Sequence, residues 1–387
     1  MATRAPLSER DARFERLRAR MRDEGLDALL IGGKGHWWTG RGYVRYLSDF
    51  HLWGHDALIV FPVEGEPAVT VSSYAVANMV ASNGWITDSA GDVFLVPRTL
   101  SALRQRGLER ARLGTVGTPF IISADLQRQL VEQLPGADIR QADHVLDRVR
   151  VAKSDIEIAQ NREVWDLAKQ AMERFAEMLR PGVSQLELSA EATKVALAGG
   201  ARDVLVLIGE SPLEYAPPRD EPVRCDDILR YHMEVCGPSG HWCELTLTFS
   251  FRPLGKSEQR LLASELNAYR AVQGAARPGA RLAQLADVFE GTLREEGWEL
   301  GEPTQHFDLH GQGMDVIEYP WFAAEQPWGG SRDLPLEAGA VLSYHPSRRI
   351  LSGPTWSPGV SDNLLISETG AEWLSGDWSH EWREVRA

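Results

Sequence analysis

The segment HMEVCGPSGHWCE (232–244) carries His232, Glu234 and Glu244, with the glutamates ten residues apart across a Gly-Pro-Ser-Gly turn. Carboxylates so placed could hold a divalent cation, act as an acid/base pair, or simply face water. More residues of ligand type follow. FDLHGQGMDVIEYP sets His310 ahead of Gly-x-Gly, a backbone able to approach a site closely. AVLSYHPSRR ends an apolar run at His345, and GVSDNLLIS puts Asp362 at the start of a strand. Each also has a plain explanation, because a lone histidine is more often structural and Asp after Gly-Val-Ser is often a turn residue.

The elements that must position these groups begin with the hairpin. In 228–236 the odd positions Leu229, Tyr231, Met233 and Val235 are apolar, and the even ones carry Arg230, His232 and Glu234. In 242–251 the odd positions are again apolar, leaving Glu244, Thr246 and Thr248 on the other side. Side chains alternate across a strand, so each strand has one core face and one polar face. A five-residue loop, Gly237–His241, sets Glu234 opposite Glu244, which is destabilising without a positive charge between them. A four-residue loop would put them on opposite faces. Read alone, the hairpin favours an ordinary solvated sheet face.

At 387 residues, 43% hydrophobic and 25% charged, the chain reads as a globular protein of two domains. A formal charge of −14 argues against non-specific nucleic-acid binding. No apolar run reaches the roughly 18 residues that span a bilayer, so no membrane partner is expected. The charged start, MATRAPLSERDARFERLRARM, reads as a surface helix rather than a signal peptide. Cys225, Cys236 and Cys243 lack a zinc spacing and read as reduced thiols in a cytoplasmic protein.

Residues 1–148 mix helix and strand as an α/β domain. A helix is predicted over 8–24 and strands over 26–33 and 55–71, the latter pair turning at Gly65. Further βα alternation is predicted through DVFLVP (92–97) and ARLGTV (111–116). Over 149–387 a long amphipathic helix is predicted from Asp155 to Leu179, with Trp165 and Phe175 on its buried stripe. Pro181-Gly182 stops it, and Ser184-x-x-Glu187 suits a capping box for the next helix. LRPGVSQLEL and ARPGARLAQL hold equivalent helix–PG–helix places 97 residues apart, which suggests two halves of one domain.

From Val151 to Glu372 the chain resembles the creatinase/prolidase/aminopeptidase P family. The resemblance rests on RVRVAKSDIEIAQNREVWDLA, HMEVCGPSGHWCELTLTF, HGQGMDVIEYP, LEAGAVLSYHPS and VSDNLLISETGAEWLS in that order. YVRYLSDF and LIVFPVEGEPAV extend it to the N-terminal part. It implies a creatinase-type α/β N-terminal domain and an α+β pita-bread C-terminal domain with pseudo-two-fold internal duplication. It also implies a dinuclear site of two Asp, one His and two Glu. The matching positions here are Glu234, Glu244, His310, His345 and Asp362, all able to bind metal although four differ in type.

That re-specified set has a formal ligand charge of −3, against −4 for the family's two Asp and two Glu. One Fe, Mn or Zn ion on Glu244, His310 and His345 is therefore the first expectation, with Asp362 as a fourth ligand and two ions as the alternative. The proton-handling residues differ too. Ile317 stands where the family's peptidases carry a histidine, and Leu247 where an arginine often follows the second Asp. His232, Tyr215 and His306 are the replacement catalytic candidates; His36, Trp38 and Glu318 are the candidate substrate contacts.

The expected function is metal-dependent C–N hydrolysis of a small polar substrate, not ordinary Xaa-Pro cleavage. The alternatives are a metal-free, creatinase-like amidinohydrolase centred on His232, a lyase on the same fold, or a non-catalytic pita-bread binding module. Relatives imply a homodimer, with GKGHWWTGRGYVRYL (33–47) of one chain edging the site of the other.

Overall fold

The computed structural model describes residues 5–35, 40–118, 121–211, 214–224, 228–303, 307–323, 333–354 and 359–385. The chain divides into two compact units. One runs to Arg150 and includes Met314–Val316; the other holds Val151–Gly313 and the chain from Ile317 onward.

In the first unit, strands β1 (Ala28–Lys34), β2 (Asp56–Pro62), β3 (Ala68–Val71), β4 (Asp88–Gly91), β5 (Arg112–Val116) and β6 (Asp138–Gln141) form one sheet. Its order is β4-β3-β2-β1-β5-β6. β2 pairs antiparallel with both neighbours and the other pairings are parallel. The helices are α1 (Leu7–Asp23), α2 (Arg41–Ser48), α3 (Tyr74–Asn83), α4 (Val96–Gln105), α5 (Ala124–Gln133) and α6 (Asp143–Val151). Leu29, Ile31, Ile59 and Phe61 serve one core cluster, while Ala28, Leu30, Leu58 and Val60 serve another. Both faces of β1 and β2 are therefore buried, which is why these strands read as continuous apolar runs. DVFLVP corrects the expectation of a strand. The strand lies just before it, and Pro97 sits in the first turn of α4, where its missing N–H is no loss.

The second unit begins with α7 (Asp155–Met178), α8 (Gln185–Ala198), β7 (Asp203–Ser211), β8 (Glu214–Ala216), β9 (Ile228–Cys236) and β10 (Trp242–Ser250). The pattern then repeats with α9 (Lys256–Ala275), α10 (Leu282–Glu295), β11 (Leu300–Pro303), β12 (Phe307–Gly311) and β13 (Glu318–Ala323). β14 (Val341–Tyr344), β15 (Arg348–Ile350), β16 (Asp362–Ile366), β17 (Ala371–Trp373) and β18 (Arg383–Glu384) complete it. The two larger sheets run β18-β10-β9-β7-β8 and β13-β12-β14-β16-β17.

The duplication is visible in backbone detail. Gly182 and Gly279 both adopt positive φ, 81° and 86°, after their prolines. Ser184 and Arg281, the residues before α8 and α10, each form an isolated bridge to a proline, Pro222 and Pro335. The expected capping box is displaced by one helix. Ser154 and Glu157 make the reciprocal pair at the start of α7, whereas Ser184 caps α8 through Leu186 N–H and Glu187 is exposed. Against the apolar side of β9 and β10 packs α7, with the Phe175 ring stacked on Tyr231 at 3.6 Å.

Candidate metal centre

The hairpin loop has the five residues Gly237–His241, and the register sets Glu244 against Glu234, Thr246 against His232 and Thr248 against Arg230. Because α7 takes the apolar face, the other face gathers every polar residue of the two strands. That face is not solvated: Glu234 and Glu244 are only 8% and 4% exposed.

The second sheet supplies the histidines. His310 lies on β12 beside β14, and His345 directly follows Tyr344 at the end of β14. Gly311 is required here, since a Cβ would fall 2.5 Å from the Tyr319 carbonyl oxygen. His310 Nε2 stands 3.3 Å from Glu244 Oε1, and His345 Nε2 stands 3.8 Å from Glu244 Oε2. Glu244, His310 and His345 each offer a donor atom within 4.8 Å of the others, and so do His232, Glu234 and Glu244. Glu244 belongs to both groups.

These groups suit a divalent cation on three counts. With metal–ligand bonds of about 2.0–2.2 Å, donors sharing one ion stand roughly 3–3.5 Å apart, close to the spacings observed. His310 Nδ1 faces the Gly311 carbonyl oxygen at 2.9 Å, so Nδ1 carries the proton. In the neutral ring a bare Nε2 then confronts a carboxylate oxygen, and only a second proton or a cation relieves that opposition. Glu234 Oε2 is buried with no hydrogen-bond partner among the described residues. Imidazole and carboxylate ligands together suit Zn, Mn or Fe.

The electrostatics follow from crowding in a dry site. Burial pushes the Glu234 carboxyl above its ordinary range, the more so with Glu244 opposite. Burial pushes Glu244 the same way, but the charges of His345 and His310 and the His310 hydrogen bond prevail and hold it low. Burial opposes charge on His232 and His310, yet the glutamates beside them outweigh it and raise both imidazoles.

Of the other expected residues, His232 joins the site, its Nδ1 2.9 Å from Thr246 Oγ1 and its Nε2 3.3 Å from Glu234 Oε1. Tyr215 lies beside it, ring centroids 5.8 Å apart, beneath the Arg230 guanidinium. Glu318 is buried and accepts a 2.8 Å bond from Lys153 Nζ. His36, Trp38 and His306 lie outside the described residues.

Asp362 is not brought to the grouped donors. Its carboxylate accepts from Tyr269 Oη at 2.6 Å and Ser375 Oγ at 2.5 Å, and meets His380 Nε2 at 3.0 Å. Strand alternation turns its neighbours the other way. Ser361 Oγ lies 2.8 Å from Thr246 Oγ1, and the Asn363 amide bonds to Gln312. Counting in twos from Leu364 and Ile366, which face the α9/α10 core, would have put Asp362 on that side. Sequence reading also passed over Thr246, Ser361, Gln312 and Asn363, whose uncharged side chains carry no ligand signal.

The profile of the Creatinase/Prolidase N-terminal domain matches residues 13–152, and that of Metallopeptidase family M24 matches residues 159–368. The chain is 25% identical over 371 residues to the putative dipeptidase YkvY of Bacillus subtilis, covering 93% of this chain and 96% of that one. It is 26% identical over 323 residues to the probable dipeptidase PepE of Mycobacterium tuberculosis, 81% of each. Among solved structures, dipeptidase PepE from Mycobacterium ulcerans shares the fold at TM-score 0.81 and 22% identity, covering 99% of this chain and 100% of that one. X-Pro aminopeptidase from Thermotoga maritima does so at TM-score 0.81 and 18% identity, covering 96% and 99%. With more than half of its length matched by the family's own profile, this chain belongs to metallopeptidase family M24.

Proposed function

We propose that the chain is a single-metal hydrolase of C–N bonds in a small polar, amide-type substrate, distinct from an ordinary Xaa-Pro peptidase. The observation that carries this reading is the convergence of Glu244, His310 and His345, two imidazoles and one carboxylate with donor atoms within 4.8 Å. Such a set is a ligand pattern for one Fe, Mn or Zn ion. A divalent ion held there supplies Lewis acidity toward the scissile carbonyl. Glu234, with its pKa raised by burial, and His232, oriented by Thr246, are placed to move protons at Oε2 and Nε2. The dipeptidase names of the relatives support peptide-like substrates. Ile317 and Leu247, at places where the resemblance calls for histidine and arginine, support a substrate other than Xaa-Pro. Assembly as a homodimer belongs to the same reading.

A second reading, metal-free amidinohydrolase chemistry, draws on the Thr246–His232–Glu234 contacts alone. Metal content per chain separates the two, measured on protein purified without added metal beside Glu244→Ala and His345→Ala. One ion per wild-type chain, lost in both variants, together with cleavage of non-prolyl dipeptides, supports the first reading. No ion after reconstitution with Fe, Mn or Zn would sink it, and turnover of guanidino compounds by that metal-free protein would establish the second.

A further inference from the structure

A line of three hydrogen bonds ends on Glu244. Trp165 Nε1 donates to Asn363 Oδ1 at 2.8 Å, Asn363 Nδ2 to Gln312 Oε1 at 2.5 Å, and Gln312 Nε2 to Glu244 Oε1 at 2.7 Å. All four side chains are buried. The direction of the line does not depend on how the amides are assigned. An indole N–H can only donate, so the Asn363 oxygen must accept it, and its NH₂ must then point at Gln312. The Gln312 oxygen is thereby occupied, and its NH₂ is left facing Glu244, which as a carboxylate can only accept. Every link has the polarity the next requires.

We infer that Gln312 is a positioning residue that fixes the Glu244 carboxylate as a metal ligand, its own amide held in that sense by Asn363 and Trp165. This rests on the metal reading above. The bond to Oε1 sets the plane of the carboxylate and keeps it an ionised acceptor, with Oε2 directed toward His345. The indole of Trp165 otherwise sits in the core packed by α7 and thus ties the ligand to a rigid element.

The test is titration of the metal-free protein with Mn(II) and with Zn(II), alongside thermal unfolding in chelator. Gln312→Met, of similar volume, is expected to weaken metal binding by about 10–100-fold. Trp165→Phe keeps the packing but frees the Asn363 amide to turn, and a smaller loss is expected. Asn363→Asp removes the donor to Gln312, which would turn its own NH₂ toward residue 363 and its oxygen toward Glu244; its loss is expected to match that of Gln312→Met. If the relay acts through Gln312, Trp165→Phe adds nothing to metal affinity in the Gln312→Met background. Wild-type affinity in a folded Gln312→Met protein, or additive losses in the double variant, would overturn the inference while the metal reading stands. A wild-type chain that takes up neither ion, nor Fe(II) under anaerobic conditions, overturns both.

Discussion

Glu234 and Glu244 face each other directly across the β9–β10 ladder, each more than nine-tenths buried. Two carboxylates cannot share such a place at ease unless a cation or a proton lies between them. In the metal-free chain the tension is divided unequally, with Glu244 held low by His345 and His310 and Glu234 raised by burial. Replacing Glu234 by Gln removes the opposition. Glu234→Gln is expected to stabilise the metal-free protein by about 0.5–2 kcal/mol while lowering turnover. Denaturant unfolding in chelator, beside turnover of the reconstituted enzyme, checks both signs; a destabilised, fully active variant would contradict them.

Asp362 separates ligand from anchor. Asp362→Asn is expected to keep the bound ion, because the carboxylate serves Tyr269, Ser375 and His380 instead. Its cost is expected in stability, about 1–3 kcal/mol, from buried groups left poorly paired. Metal content and unfolding of the same preparation decide the point. Loss of the ion from an otherwise stable variant would show that Asp362 is a ligand after all.

Metal affinity is expected to fall on acidification. His310 and His232 have pKa values raised above the ordinary imidazole in the folded, metal-free chain. Their protons therefore stabilise that state fully below about pH 6.5, and this contribution is lost as pH rises through the raised values. An incoming ion must displace such a proton from His310, so apparent affinity should weaken by about tenfold per pH unit for each proton released. Mn(II) titrations across pH 6 to 8.5, roughly the window around the imidazole pKa, check the slope. A flat profile would contradict the assignment of His310.

His232 is expected to matter for turnover rather than for holding the ion. His232→Gln should lower kcat by about 10²–10⁴-fold, the range for loss of a general acid/base, with metal content unchanged. Thr246→Val, which removes the hydroxyl beside Nδ1, should produce a smaller loss in the same direction. Loss of the ion in His232→Gln would make the histidine a ligand instead.

Much of this site was legible in the chain itself. The period of two puts His232, Glu234 and Glu244 on the polar sides of their strands, because it is counted locally along each strand. The five-residue loop that sets Glu234 opposite Glu244, rather than on the other face, was chosen by the structure. The paired helix–Pro-Gly–helix segments likewise announce the duplication, since a stop of that kind needs only the left-handed glycine that follows the proline. His310 and His345 could be singled out by type.

What the tertiary structure alone decided concerns facing. Whether Ser361 or Asp362 looks into the site depends on which side of β16 meets β10, more than 100 residues earlier in the chain. Burial of the hairpin's polar face depends on the second sheet closing over it, which no local periodicity expresses. The line from Trp165 through Asn363 and Gln312 to Glu244 joins residues from four distant segments. Their chemistry is ordinary in isolation, and it becomes directional only when packing sets each donor against its acceptor.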